Sequence, residues 1–301
     1  MKQADLLIIG GGPAGVTAAI YAARKGLDFM MISRDIGGQA ALSGRIENYT
    51  GCQVVSGPEL TARFEEHLKK FSIRLVQPET ALSLTRDGGR FRVSGEKDAY
   101  SASAVIVATG KRSRLLGVKG EKEFLGRGLT YCAVCDGPLF AGRDVAVIGG
   151  GNSALDAALQ MSRIASRVYV LESSGGFTAD KILVNRLSAA GNVEIYKNAS
   201  VIEVIGGRFV EGIRFSAQGK ESILPVRGVF VEIGLAPNSE FAAIASRNGK
   251  GEIKVDCSNG TDVPGLFAAG DVTDVPEKQI VIAAGDGAKA ALSAARYLLS
   301  L

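Results

Sequence analysis

Two of the four cysteines stand three residues apart in Tyr131-Cys132-Ala133-Val134-Cys135-Asp136-Gly137, and a carboxylate directly follows the second. This spacing serves either a thiol–disulfide couple or one half of a zinc site. A complete zinc site needs further thiolate or imidazole ligands. The other candidates, Cys52, Cys257 and the single histidine His67, are scattered, and no second pair exists. The stretch therefore reads as a redox dithiol and no metal is expected, with zinc or a purely structural pair as alternatives. Asp136 is either part of that chemistry or simply a turn residue before glycine.

A dithiol needs something to hold it and something to exchange electrons with, and nucleotide-binding turns lie on both sides of it. Leu6-Leu7-Ile8-Ile9 is an apolar run, read as a buried parallel strand. Gly10-Gly11-Gly12-Pro13-Ala14-Gly15 follows at once and matches G-x-G-x-x-G, and the next residues carry apolar positions at helical spacing to Arg24. Strand, glycine turn and helix in that order form a dinucleotide fingerprint. Side chains must be absent where backbone N–H groups approach a pyrophosphate, and the helix N-terminus adds partial positive charge. A second strand, 29–32, ends in Ser33-Arg34-Asp35 without an acid at its tip, so the ribose contact of this first unit is not assigned.

The fingerprint recurs. Val145-Ala146-Val147-Ile148 leads into Gly149-Gly150-Gly151-Asn152-Ser153-Ala154 and a helix over 155–161. One chain with two such units is expected to bind two nucleotides. The strand 168–171 ends in Glu172, which lies 21 residues (172 − 151) beyond Gly151. An acid at that distance accepts hydrogen bonds from a ribose diol and repels a 2′-phosphate. Its neighbours Ser173, Ser174 and Gly175 supply no cation. The second unit is expected to take NADH rather than NADPH.

Between these units, a helix is predicted over 58–70 with His67 on its surface. Residues 74–103 read as an antiparallel excursion turning at Asp87-Gly88-Gly89, and Lys111–Gly120 as the exit from the first domain. Val229-Phe230-Val231 and the turn Ala236-Pro237-Asn238 read as the way back. Ala268-Ala269-Gly270-Asp271 delivers an aspartate at a strand end, where α/β sheets place ligand contacts. A last helix is expected over 283–298, its Gly285 and Gly287 suggesting backbone near a ligand.

The bulk numbers agree with a two-domain protein. A chain of 301 residues is long for one core, and its 46% hydrophobic and 22% charged residues are ordinary for a globular protein. The net charge of +4 is too mild and too dispersed to argue for nucleic acid. No apolar run reaches a membrane span, and no leader peptide is read before the first strand. Few cysteines suit a reducing compartment, so a cytoplasmic protein is expected, with Cys52 and Cys257 as small buried hydrophobes.

Taken together, Gly10–Gly15, Gly37-Gly38-Gln39, Ala108-Thr109-Gly110, Cys132–Gly137, Gly149–Ala154 and Ala268–Asp271 resemble the low-molecular-weight thioredoxin reductase family of FAD-dependent disulfide reductases across essentially the whole chain. Within it, Cys135-Asp136-Gly137-Pro138-Leu139-Phe140, Leu171-Glu172 and Lys278-Gln279-Ile280 look most like the reductase core of the alkyl hydroperoxide reductase flavoprotein. The N-terminal thioredoxin-like region of that relative has no counterpart in this sequence.

The resemblance implies an α/β fold of two Rossmann-like dinucleotide-binding domains of three-layer ββα type, the second inserted into the first. Residues 1–112 and 245–301 would form the FAD domain, and 113–244 an NAD domain carrying the dithiol. It places FAD against Gly10, Gly12, Pro13, Ala14, Gly15, Gly38, Gln39 and Asn48 from the first segment. Thr109, Gly110, Gly270, Asp271, Lys278, Gln279 and Ile280 would complete that site. Gly149, Gly151, Asn152, Ser153, Ala154, Glu172 and Ser173 would hold the nicotinamide nucleotide.

It also implies that Cys135 meets the flavin, that Cys132 attacks the disulfide of a partner, and that Asp136 is the acid/base. The partner would be thioredoxin or a thioredoxin-like or glutaredoxin-like protein, and the assembly a homodimer. The inserted domain would rotate about hinges near Gly117–Gly120 and Ala236–Asn238. Relatives that use NADPH carry a basic cluster after the second-unit strand. Here Glu172-Ser173-Ser174-Gly175-Gly176-Phe177-Thr178 has no arginine. Other readings are a reductase fed by ferredoxin or a deazaflavin, a reductase of a peroxiredoxin system, and a non-catalytic redox sensor.

Overall fold

The computed structural model describes residues 1–43 and 46–301. The chain begins with β1 (Lys2–Ile9), α1 (Pro13–Arg24), β2 (Phe29–Ile32), α2 (Gly57–Leu68), β3 (Arg74–Val76), β4 (Ala81–Asp87), β5 (Arg90–Gly95) and β6 (Ala99–Val107). After β7 (Lys111–Ser113) come α3 (Glu121–Phe124), β8 (Leu129–Thr130), α4 (Ala133–Asp136), β9 (Val145–Ile148), α5 (Asn152–Met161), β10 (Val168–Glu172) and α6 (Lys181–Ser188). Then follow β11 (Val193–Lys197), β12 (Ala199–Gly206), β13 (Val210–Ala217), β14 (Lys220–Leu224), β15 (Gly228–Val231), β16 (Leu235–Pro237), β17 (Leu266–Ala268) and α7 (Ile280–Leu299).

These elements form two compact units, one of residues 1–112 and 236–301 and one of residues 113–235. In the first, β3-β2-β1-β6 run parallel, and β6 shares one edge between antiparallel β5 and parallel β17. The period-2 alternation of a strand splits its side chains between two cores. Leu6 and Ile8 of β1 pack with α1 and α7, while Leu7 and Ile9 pack with Leu84, Phe91 and Val93 of β4 and β5. The second unit repeats the plan with a five-stranded parallel sheet, β11-β10-β9-β15-β8, and a three-stranded antiparallel layer, β12-β13-β14. Val145 and Val147 of β9 meet α5, and Ala146 and Ile148 meet Val204, Ile213 and Phe215 of the antiparallel layer. Each unit is thus helix, parallel sheet and antiparallel strands, the three-layer arrangement expected from the sequence.

Several expectations change. The short strand β3 pairs in parallel with β2, so the antiparallel excursion starts at Ala81 and not at Arg74. Its apolar signal is only three residues long, and its partner lies over forty residues away. β15 is a strand of the second sheet, hydrogen-bonded between β9 and β8, and the return crossing comes after it, at the expected turn from Ala236. The chain re-enters the first unit at Ala236, nine residues before the expected boundary after 244. The reason is Asn238, whose backbone N–H donates to Gly110 O at 2.9 Å and whose side chain donates to Thr109 O at 2.8 Å. Thr109 Oγ1 returns a bond to Asn238 O at 2.6 Å.

Of the two expected pivots, 236–238 stands where the chain re-enters the first unit, and 117–120 lies inside the second. Glu121, 3% exposed, accepts the N–H groups of Leu116 (2.5 Å) and Gly117 (2.7 Å), which ties that segment into the second unit. Cys52 is half-buried beneath Arg63, whose Nη1 lies 3.2 Å from its Sγ, and Cys257 is exposed, so neither is a buried hydrophobe. His67 is exposed, as expected.

α1 and α7 pack closely. A Cβ on Gly287 would stand 2.0 Å from Ala14 O, whereas nothing lies within 4 Å of one on exposed Gly285. Gly287 therefore serves helix–helix approach and not a ligand. Gly287→Ala is expected to cost about 2 kcal/mol or more, and Gly285→Ala to add about 1 kcal/mol of stability through helix propensity. Urea unfolding of both variants checks this, and equal effects at the two positions would refute it.

Candidate functional site

A cavity of about 760 Å³ opens in the first unit, entered by the Gly10–Ala14 turn, the end of β2, residues 38–40, 42, 43, 46 and 48, Thr109–Lys111, and residues 269–271, 278–280 and 283. The turn is made by backbone crowding. Gly10 has φ +117°, and a Cβ there would stand 2.2 Å from Ala108 O; one on Gly15 would stand 1.9 Å from Gly10 O. Helix α1 starts at Pro13 behind Gly12 with no side-chain cap, so its first N–H groups remain available to an anion. α7 likewise starts uncapped behind Gln279. Both helix N-termini border the cavity.

Of the fifteen residues expected around a flavin dinucleotide, all but Gly15 line this cavity; Gly15 lies beneath the turn and lets it close. Asn48 Nδ2 donates to Gln279 Oε1 at 3.0 Å. Asp271 is brought in by the turn after β17, and burial pushes its carboxyl upward while the Lys278 and Lys111 ammonium groups oppose the rise. Those lysines flank one carboxylate. Glu252 Oε1 accepts from Lys111 Nζ at 2.8 Å and lies 3.4 Å from Lys278 Nζ, and Oε2 accepts from Asn248 at 2.7 Å. Burial alone would raise Glu252, but these partners hold its carboxyl down at about 2.

Lys111, Glu79, Asn238 and Glu240 also line the cavity and carried no local sequence signal. Glu79 brings a buried carboxylate from the β3–β4 link, where the tip of β2 offers none. It accepts from Tyr100 O–H at 2.7 Å, and from the N–H groups of Thr80 and Lys97. The uncapped helix ends, the side-chain-free turn and the cavity's charged wall fit an anionic dinucleotide.

In the second unit the Gly149–Ala154 turn repeats the first. Gly149 has φ +139°, and a Cβ on it would stand 2.1 Å from Glu232 O. α5 begins behind Gly151 without a side-chain cap. Ala154 is buried beneath Gly149, Ser153 is exposed, and Asn152 exchanges bonds with Asp180 at 2.8 and 3.1 Å. Glu172 closes β10 only 4% exposed, and the turn rests on it, since a Cβ on Gly150 would meet Glu172 Cγ at 2.4 Å. Its Oε1 accepts the N–H and O–H of Ser174 at 2.6 and 2.5 Å, and its buried Oε2 has no hydrogen-bond partner among the described residues. An unsatisfied carboxylate oxygen beside a nucleotide turn fits a ribose diol. Ser173 is exposed. The role of Ser174 in holding Glu172 went unread, because Ser-Ser-Gly reads only as a turn.

The dithiol lies in this second unit. Cys132 and Cys135 are joined as a disulfide with Cα atoms 5.4 Å apart. Cys135 N–H donates to Cys132 Sγ at 3.1 Å, and Thr130 Oγ1 donates to Asp136 Oδ2 at 2.5 Å. Cys135 is exposed, while Cys132 and Asp136 are half-buried. Among the described residues no group of three His, Cys, Asp or Glu side chains gathers as a metal site.

Glu232, just beyond β15, is a further carboxyl at the second turn. Burial pushes it up to about 7 against the bond from Ser153. Between the ordinary glutamate value and about 7 the folded chain holds a proton that the unfolded chain has lost. This group therefore subtracts stability as pH rises through that window. Glu232→Gln is expected to raise stability at pH 8 by on the order of 2 kcal/mol and by much less at pH 5. Urea titrations at both pH values check this, and an equal gain at each would contradict it.

Comparison with known proteins matches this geometry. The model of the pyridine nucleotide-disulphide oxidoreductases matches residues 4–287. An NADH dehydrogenase of Bacillus subtilis is 44% identical over 98% of this chain and 58% of its own length. One component of the alkyl hydroperoxide reductase of Staphylococcus aureus is 42% identical over 98% and 59%. The chain thus spans just under three fifths of these curated relatives. Among solved structures, the thioredoxin reductase of Lactococcus lactis superposes with a TM-score of 0.90 at 32% identity, covering 99% of this chain and 100% of that one. That of T. acidophilum superposes at 0.86 with 36% identity, covering 100% and 99%. The chain belongs to the pyridine nucleotide-disulphide oxidoreductase family.

Proposed function

We propose that this chain is a disulfide reductase of the thioredoxin reductase type. It takes reducing equivalents from NADH in preference to NADPH and hands them, through Cys132 and Cys135, to thioredoxin or a thioredoxin-like protein. The observation that carries the reading is the Cys132–Cys135 disulfide, followed by Asp136, in a unit that also bears a nucleotide turn and Glu172. The residues of the first-unit cavity would hold FAD, which when bound supplies the conversion between hydride-pair and sulfur chemistry.

This chain's own residues do the rest. The α1 N-terminus and the Gly10–Gly15 turn receive the pyrophosphate of the first dinucleotide, and Asp271 accepts hydroxyl hydrogen bonds. The α5 N-terminus receives the second pyrophosphate. Glu172 takes the adenosine ribose hydroxyls on its unpartnered Oε2, Ser174 keeping the other oxygen occupied. Cys132 attacks the partner's disulfide, its sulfur stabilised as thiolate by the N–H of Cys135. Cys135 then closes the internal disulfide and releases the reduced partner, and Asp136 exchanges the proton. Support for a homodimer comes from the family resemblance alone, and support for a cytoplasmic setting from the small number of cysteines. No helix among the described residues is long and apolar enough to cross a membrane.

Similarity to the alkyl hydroperoxide reductase proteins favours one second reading, in which the physiological acceptor is a thioredoxin-like carrier of a peroxide-reducing system. Both readings share the chemistry and differ in the protein that docks.

A 2′-phosphate against the buried Glu172 is disfavoured by on the order of 1–4 kcal/mol, so kcat/KM should favour NADH by tenfold or more. A preference for NADPH would overturn that assignment. Cys135→Ser should keep NADH oxidation by an artificial acceptor and lose thioredoxin reduction. Wild-type thioredoxin reduction in that variant would remove the dithiol from the pathway.

A further inference from the structure

We propose that Thr130 is a positioning residue that fixes the Asp136 carboxyl at the dithiol turn as a hydrogen-bond acceptor. The inference rests on the reading of Cys132 and Cys135 as a redox pair. Thr130 ends β8, pairs with Phe230 of β15 and is 6% exposed. Its Oγ1 accepts the N–H of Cys132 at 3.1 Å and donates to Asp136 Oδ2 at 2.5 Å. A hydroxyl has a single proton to donate. The Cys132 N–H occupies one lone pair, and the hydroxyl proton goes to Asp136 Oδ2.

The surroundings keep this arrangement in place. Gln160 donates to Ala133 O at 3.1 Å, and Asp136 N–H donates to Cys132 O at 3.2 Å. The next residue faces elsewhere: Tyr131 O–H donates to Glu121 Oε1 at 2.6 Å. The two residues before the dithiol are therefore each fastened by a side-chain hydrogen bond. Valine would fill the Thr130 site with the same branching, so what threonine adds there is the hydroxyl.

Its chemical consequence concerns protons. When the reduced dithiol meets a disulfide R–S–S–R, Cys132 bonds to one sulfur, the S–S bond breaks and the departing thiolate takes one proton. Cys135 loses its proton and displaces the second sulfur, forming the Cys132–Cys135 bond and releasing the second thiol. The dithiol gives up two electrons and two protons, and R–S–S–R gains both. A carboxyl held at the turn can carry the Cys135 proton, and the Thr130 hydrogen bond holds that carboxyl in place.

The test uses the whole reduced protein and 5,5′-dithiobis(2-nitrobenzoate), with the initial rate followed at one pH. Asp136→Asn is expected to lower that rate. Thr130→Val and Thr130→Ala should lower it roughly tenfold, and Thr130→Ser should restore it. In a protein that already carries Asp136→Asn, the same Thr130 substitutions should cost nothing further. A Thr130 loss that persists undiminished beside Asp136→Asn would show a structural role only and overturn the inference, as would a serine variant that behaves like alanine. The assay requires neither nucleotide nor thioredoxin. A coupled loss in a protein that fails to reduce thioredoxin would remove the proposed partner and leave this inference standing, and a dithiol unreactive toward the probe would overturn both.

Discussion

Both units depend on one kind of contact, backbone against backbone with no side chain between. Gly15 lies under the carbonyl of Gly10, and Gly149 under that of Glu232, where an added Cβ would stand 1.9 and 2.1 Å away. That approach draws the strand end, the turn and the following helix together. It leaves the helix N-terminus uncapped, its N–H groups aimed at the space a pyrophosphate would fill. Any side chain at these two positions would separate strand from helix, and the wall of the first-unit cavity and the seat of the second turn on Glu172 would go with them.

Charge is then arranged around the two turns in different ways. In the first unit, two lysines bracket the buried Glu252, and the half-buried Asp271 interacts with both, so the cavity is polar without being strongly of one sign. In the second, Glu172 is held by Ser174 on one oxygen and left unsatisfied on the other. A buried acceptor without a partner is costly to leave that way, and a ribose hydroxyl would satisfy it. The dithiol turn follows the same logic in miniature, each of its polar neighbours having a defined donor or acceptor.

What the sequence makes legible is local. The glycine turns, the Cys132–Cys135 spacing, and Glu172 at the end of its strand are all determined by neighbours within about twenty residues, and the structure places them at strand ends and helix starts. What it hides is made by partners far apart in the chain. Lys111 looked like the exit from a domain, and only folding brings Glu252 to it. Asn238 looked like part of the inserted unit until its bonds to Thr109 and Gly110 returned it to the first. Gly287 suggested a ligand because a glycine in a helix near a site has two readings, close approach to a cofactor or to another helix, and the position of Ala14 decides between them. Thr130 carried no motif at all, since a β-branched residue in a strand needs no functional reason.

The central claim is that one chain carries two separate two-electron centres in series, a flavin and the Cys132–Cys135 disulfide. Counting electrons tests it most directly: the purified yellow protein is titrated with NADH without oxygen, and free thiols are assayed at the end. The account predicts two equivalents of NADH consumed per chain and two thiols appearing that Cys132→Ser does not yield. Uptake of a single equivalent with no new thiols would contradict it.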